Sequence, residues 1–215
     1  MAHFRHQLLV FAMNPSRPYH HGNLRAELIA TAIAVTQQHG HEAVSLRGLA
    51  ETLGVSRGAP YRHFPDRESL LAEVALHGFE TLERHLHDID TKPLSGRRKL
   101  EAAAREFLHF VRTNPKIFRA MYEANLLAEA DSHPHLAACL HRTYDGLDGL
   151  LAQALPDISG QARKLRLIAM WSTLYGFAKI GQTDILQTYM KEGLSNAEID
   201  MAVLQTAIGP LPDLD

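Results

Sequence analysis

The sequence predicts an all-α chain in two parts, an N-terminal three-helix unit that contains a helix-turn-helix and a longer C-terminal helical body. Three observations support this. Apolar residues recur at spacings of three and four along most of the chain, no stretch alternates as a strand does, and Ser, Asp, Gly and Pro fall where helices begin and end. On this pattern residues 1–18 are a loose arm, 19–66 the helix-turn-helix unit and 67–215 the body.

The elements of the first unit follow from local chemistry. An opening helix runs from Leu24 to His39 and stops at Gly40. Ser45 can accept a hydrogen bond from an early N–H of the next turn, and Leu46, Leu49, Ala50 and Leu53 share one face of a short helix. Gly54 stands where that helix ends in a left-handed residue, with Val55 plugging the turn. Ser56 is read as the cap of a further helix from Arg57 to Phe64, with Pro60 near its start and Pro65 as its stop.

The body is read as helix after helix. Asp66 caps a long one through Leu71, Val74, Phe79 and Leu82 to about His87. A turn at Thr91 to Ser95 precedes a helix from Gly96 to Thr113, and Asn114-Pro115 separates it from another through Ile117 and Tyr122. Pro134 to Leu155 carries an amphipathic stripe, ended by Pro156. Ser159 caps a helix through Trp171 to Ile180, and Ser195 caps the last, through Ile199 to Ile208.

Two helices joined by a tight glycine turn place the second in the major groove of DNA, its first turn toward base edges. The side chains suit that placement. Arg57 offers a bidentate fork to guanine, Gly58 and Ala59 allow close backbone approach, and Tyr61, Arg62, His63 and Arg67 are donors of the kind that hold phosphates. Arg47 can reach a base from the preceding helix, and Ser45 and Ser56, at the two helix starts, complete the DNA-binding set.

Competing readings use the same residues. Gly54-Val55-Ser56-Arg57-Gly58 satisfies the nucleophile-elbow pattern of serine hydrolases, but an elbow follows a buried strand and Leu46 to Leu53 has helical spacing. A purely structural hairpin has no need for Arg57, Tyr61, Arg62, His63 and Arg67 around one exposed turn. A helical scaffold protein that presents a basic hairpin to an acidic partner is the alternative from another functional class.

Charge distribution agrees with a DNA partner. Residues 1–67 hold seven Lys or Arg against four Asp or Glu, plus seven His; residues 68–215 hold 15 against 20. The single cysteine, Cys139, excludes an internal disulfide and a thiolate cluster, which fits a reducing cytoplasm. No apolar run approaches the roughly 20 residues of a membrane helix, and Leu8 to Met13 is short for a signal-peptide core. Met13 is an alternative start, and the arm before Pro18 either touches the DNA backbone through Arg5 and Arg17 or stays disordered.

The stretch from about Tyr19 to Val74 resembles the N-terminal domain of the TetR (AcrR-type) family of bacterial transcription regulators. The motifs are the helix Leu24 to His39 followed by Gly40, then GVSRGAPYRHFPDRESLL, with its valine-serine-x-glycine turn, tyrosine-x-x-phenylalanine and basic residue before a long helix. The resemblance implies that Arg47, Arg57, Gly58 and Ala59 contact bases and that Tyr61, His63 and Arg67 contact phosphates. YHHGNLR and WSTLYG also resemble the branch whose ligand domain carries a tryptophan, histidine and glycine signature; Tyr175 stands where that branch has its histidine.

By the same resemblance the chain is expected to be a homodimer, and its two C-terminal helices are the expected interface. Ala169, Ser172 and Gly176 form a small-residue face there, and the last helix has its own apolar stripe. A cavity for a small apolar effector is expected in the body, lined from Phe107, Phe110, Phe118, Met121 and Tyr122, with Tyr144, Met170, Trp171 and Tyr175 completing it. Trp171 and Tyr175, one turn apart, are the leading pair; aromatic residues at helical spacing equally make plain core. The reading that results is a cytoplasmic repressor of a near-palindromic operator, released by that effector. No cofactor, metal site or catalytic group is expected: His133, His135, Cys139 and His141, like His85 and His87, lack ligand spacing, and no phosphate-cradling loop or HExxH occurs.

Overall fold

The computed structural model describes residues 23–123, 126–183, 185 and 188–209. The N-terminal arm, Met13, Arg5, Arg17 and most of YHHGNLR lie outside the described residues. Among the described residues there is no strand, and nine α-helices occur: α1 Leu24–His39, α2 Leu46–Thr52, α3 Arg67–Asp90, α4 Gly96–Thr113, α5 Pro115–Glu123, α6 Pro134–Ala154, α7 Gly160–Gly181, α8 Thr188–Lys191 and α9 Asn196–Ile208.

Local chemistry sets most of these limits. Ser45 Oγ accepts from Gly48 N at 3.1 Å, Asp66 Oδ1 from Ser69 N at 2.7 Å and Ser159 Oγ from Ala162 N at 3.2 Å, each satisfying a first-turn donor that the helix itself leaves free. Ser195 and Glu198 form a reciprocal capping box at α9. The α2 end is a Schellman turn: Val55 N reaches Ala50 O at 3.0 Å and Gly54 N reaches Glu51 O at 3.3 Å, with Gly54 at φ +68°, where a Cβ would be strained.

One element departs from the sequence reading. Residues 57–64 do not form a two-turn α-helix; a turn at Arg57 and Gly58 leads into a single 3₁₀ turn, Pro60–Arg62. Pro60 has no N–H to give, and in an α-helix its ring would press on the carbonyl four residues back, which is that of Ser56. That carbonyl instead accepts from Ala59 N at 2.9 Å, and His63 N and Phe64 N both bond Pro60 O at 3.0 Å. Short turns at His41–Ala43 and Ala130–Ser132, and the four-residue α8, were not expected from the pattern either.

A single apolar core runs through both parts. In the first, Leu24, Leu28 and Ala32 of α1 meet Leu46 and Leu49 of α2, with Phe64, 2% exposed, pinning down the turn that runs from Arg57 to Arg62. Arg25 stacks its guanidinium 5.3 Å over the Phe64 ring and pairs with Glu73 of α3 at 2.6 Å. In the body, α3 packs against α5 and α6, α4 against α6, and α7 against α9. At Gly96 a Cβ would stand 2.4 Å from the backbone of Gln153, so only glycine lets the start of α4 touch the end of α6 there.

Candidate functional site

The exposed face of the first part is built on α2 and the turn after it. Arg47 and Arg57 hold side chains 64% and 71% exposed, and Tyr61 is 55% exposed beside exposed Arg62 and His63. A Cβ on Gly58 would meet nothing within 4 Å, and Ala59 is half-buried under the turn. Ser56 is exposed, whereas Ser45 spends its hydroxyl on the α2 cap. Glu51 sits between the two arginines, its Oε1 3.2 Å from Arg47 Nε and 3.9 Å from Arg57 Nη2. This acidic side chain at the heart of a basic surface was not singled out from the sequence; its i,i+4 spacing to Arg47 was the available signal.

Arg67 is placed differently from its neighbours. Its Nε donates to the Val44 carbonyl at 2.8 Å and its Nη2 to the His41 carbonyl at 2.6 Å, so the guanidinium is turned back into the unit and half-buried. It ties the first turn of α3 to the segment joining α1 and α2, giving the Val44 carbonyl a donor and the His41 carbonyl a second one beside Val44 N.

Helix α5 makes a second tie between the two parts. Lys116 Nζ donates to the Gln38 carbonyl at the end of α1, and Arg119 Nη2 lies 3.2 Å from Glu42 Oε1. From the same helix, Phe118 and Tyr122 enter an aromatic cluster with Phe79, Phe107, Trp171 and Tyr175, their ring centroids 4.8 to 6.0 Å apart and mostly tilted or edge-to-face.

Beside that cluster lies a cavity of about 560 Å³, mouth included, between α3, α4, α6 and α7. Of the sequence-derived candidates, Phe107, Tyr122, Met170 and Trp171 form its wall. Phe118 and Tyr175 stand behind them in the cluster, while Phe110 and Met121 are buried in the core away from the lining. Tyr144 is 41% exposed and outside the lining; Thr143 and Leu147 face the cavity instead, because each step along α6 rotates the side chain by about 100°. Phe79, Leu82, His85 and Glu106 are among the other wall residues that the sequence did not assign. Phe79 and Leu82 were visible only as the apolar stripe of α3, and Glu106 as one more charge on a helix.

Four polar side chains, those of Tyr122, His85, Glu106 and Thr143, belong to this otherwise apolar lining. The Tyr122 hydroxyl is buried with no hydrogen-bond partner, and burial raises its pKa well above the usual phenol value, so it remains a neutral O–H. His85 Nδ1 is 3.0 Å from Glu106 Oε1, close enough for charge attraction when the imidazole is protonated but without a formed hydrogen bond. Thr143 spends its hydroxyl on the Cys139 carbonyl at 2.9 Å. Cys139 itself is buried, its thiol pushed up to about 12 by desolvation and by its contact with Glu83.

A separate cleft joins the two parts, where His63, beside the reading turn, meets His133 and His135 at the start of α6 and the Arg25–Glu73 pair. Among the described residues no three His, Cys, Asp or Glu side chains gather as metal ligands.

Comparison with known proteins agrees with this geometry. The model of bacterial regulatory proteins of the tetR family matches residues 28–74, and a tetracyclin repressor-like C-terminal domain matches residues 100–193. The HTH-type transcriptional repressor KstR of Rhodococcus jostii is similar at 26% identity over 134 residues, 62% of this chain and 60% of KstR's own length. A protein of unknown function from Rhodococcus sp. RHA1 is 29% identical over 90% of this chain and 97% of its own, with a TM-score of 0.67. PfmR, a TetR family regulator from Thermus thermophilus, shares the fold at 18% identity and a TM-score of 0.59, covering 84% of this chain and 96% of its own. With a matching reading unit, a matching C-terminal domain and the same helical architecture, the chain belongs to the TetR family of bacterial regulatory proteins.

Proposed function

We propose that the protein is a homodimeric transcriptional repressor that reads a near-palindromic operator through residues 45–63 and leaves it when a small, mainly apolar molecule fills the cavity beside Tyr122 and Trp171. The observation that carries this reading is that one helix serves both ends. α3 is clamped beneath the reading unit by Arg67, and further along it Phe79, Leu82 and His85 wall the cavity. A ligand that prefers a shifted α3 therefore prefers a shifted reading turn, and the difference in its affinity for the two arrangements sets how far the population moves.

In this reading Arg57 and Arg47 supply base contacts, and Tyr61, Arg62 and His63 hold phosphates. Arg67 acts by positioning the unit. The repressor sense is favoured by the likeness to KstR, itself named a transcriptional repressor. Dimerisation uses the outer face of α7, where Leu165 and Ile168 are 63% and 61% exposed, Ala169 and Ser172 are exposed beside them, and a Cβ on Gly176 would meet nothing within 4 Å. Two reading units held this way span half-sites about 34 to 36 Å apart. The site of action is the cytoplasm, where the operator lies; among the described residues no helix is long and apolar enough to cross a membrane.

The test is fluorescence anisotropy of the full chain on duplexes from the region upstream of its own coding sequence, with shuffled controls, across a salt series. Tight binding to one upstream duplex, absent from its shuffled version, supports the reading. Absence of binding to any duplex overturns it in favour of a protein-binding scaffold.

A further inference from the structure

The cavity's own chemistry narrows what it takes. Its lining is almost entirely apolar, with no lysine or arginine among the wall residues. Tyr122 is one of the wall residues, and its hydroxyl is buried and unpartnered. The ring that carries it is fixed by Phe118 at 4.8 Å, Tyr175 at 5.0 Å, Phe79 at 5.6 Å and Trp171 at 5.9 Å. Most buried hydroxyls in folded proteins are paired, and an unpaired one at a cavity wall marks where a ligand atom completes the bond.

Charge decides the rest. An anionic ligand would find Glu106 in the wall and no fixed cation to offset its lost hydration. A cationic ligand would find that carboxylate already beside His85 at 3.0 Å and would leave water for a wall that is otherwise almost wholly apolar. A hydroxyl loses far less on leaving water and can donate to, or accept from, the Tyr122 O–H.

We propose that the effector is an uncharged molecule with an apolar ring or alkyl body and a single hydroxyl, an alcohol or phenol, seated with that hydroxyl on Tyr122 Oη. This rests on the reading of the cavity as the effector site. An analogue that lacks the hydroxyl leaves the Tyr122 O–H unpaired and is selected against.

The experiment uses the full chain and its one tryptophan, Trp171, which lies in the cavity wall. Its emission is titrated with four probes of one skeleton: adamantane, adamantanol, adamantanecarboxylate and aminoadamantane. Adamantanol is expected to bind about tenfold more tightly than adamantane, and both charged probes more weakly than adamantane. In Tyr122→Phe, expected to melt no lower than the parent because no hydrogen bond is lost, adamantanol and adamantane bind alike. A carboxylate or ammonium probe that binds tightest, or an adamantanol preference that survives Tyr122→Phe, overturns the proposal. Binding of adamantane with no preference for the alcohol removes only the ligand class; absence of binding by all four removes the cavity reading with it.

Discussion

Arg67 donates through Nη2 to the carbonyl of His41, 26 residues earlier, at 2.6 Å, and the second arm of the same guanidinium holds Val44. The bond joins the helix that leaves the reading unit to the segment that enters it. Replacing Arg67 with Ala removes the donor to the Val44 carbonyl and one of two donors to that of His41, which keeps Val44 N, and is expected to cost about 2 kcal/mol of stability, read as a lower denaturation midpoint; Lys recovers only part, since it lacks the planar fork. Operator affinity should fall with the salt slope unchanged. A slope reduced by about one would instead assign Arg67 a phosphate contact.

If Arg47 and Arg57 contact DNA as proposed, Glu51 competes for both. Glu51→Gln is expected to tighten binding to every duplex and steepen its salt dependence, because Arg47 and Arg57 lose an acidic neighbour on an exposed face. Arg57→Ala should cost about 1 to 3 kcal/mol on the operator and blur one base pair, whereas Tyr61→Phe should weaken all sequences alike. Equal losses on operator and shuffled DNA for Arg57→Ala would remove it from base recognition.

The α7 face gives an oligomer test that spares the fold. Ile168 is 61% exposed, so Ile168→Glu leaves the core untouched and is expected to shift sedimentation velocity from dimer to monomer while the helical circular dichroism is retained. A variant that stays dimeric moves the interface elsewhere.

Acid should loosen the same joints. Asp66 is held below the usual carboxylate range by hydrogen bonds from Ser69, Glu83 by Arg142, and Asp90 by Gln153 and Lys99. A lowered folded-state pKa adds stability that is present above the unfolded value and is lost as pH falls through the folded one. The urea midpoint is therefore expected to be level above about pH 5 and to fall on acidification toward about pH 3. Asp66→Asn, which keeps an accepting oxygen but cannot titrate, should make that fall shallower. An identical acid limb in the variant would exclude Asp66 as a contributor.

Much of this architecture was legible in the chain. Leu24–His39 and Gly96–Thr113 were bounded from their flanking residues, and Ser45, Asp66, Ser159 and Ser195 marked helix starts because each hydroxyl or carboxylate meets an N–H that the first turn leaves free. Local signals failed where a longer-range term decided. Pro60 was read as a tolerable first-turn proline, whereas its ring would meet the Ser56 carbonyl in an α-helix, and with Pro60 and Phe64 buried the segment closes as a 3₁₀ turn instead. Tyr144 looked like an aromatic of the cavity, but the rotation of α6 gives that place to Thr143 and Leu147. Glu106 and His85 could not be paired from sequence, since they sit on different helices and meet only when α3 and α4 pack. Trp171 and Tyr175 were read as one pair; only Trp171 reaches the wall, with Tyr175 stacked behind it.

The two ties from α5 bear on engineering. Lys116 holds the last turn of α1 and Arg119 meets Glu42, so the DNA-reading unit is matched to a helix that lies far along the chain, beyond any cut made at the first linker. A chimera that grafts residues 23–66 onto the sensor half of another regulator would keep its operator specificity yet arrive without its counterparts at 116 and 119. Extending the graft through Glu73, so that Arg67 and Glu73 travel with the reading unit, and transplanting positions 116 and 119 with it carries these ties together, and modular swapping in this protein is bounded by the joint rather than by the sequence border between the parts.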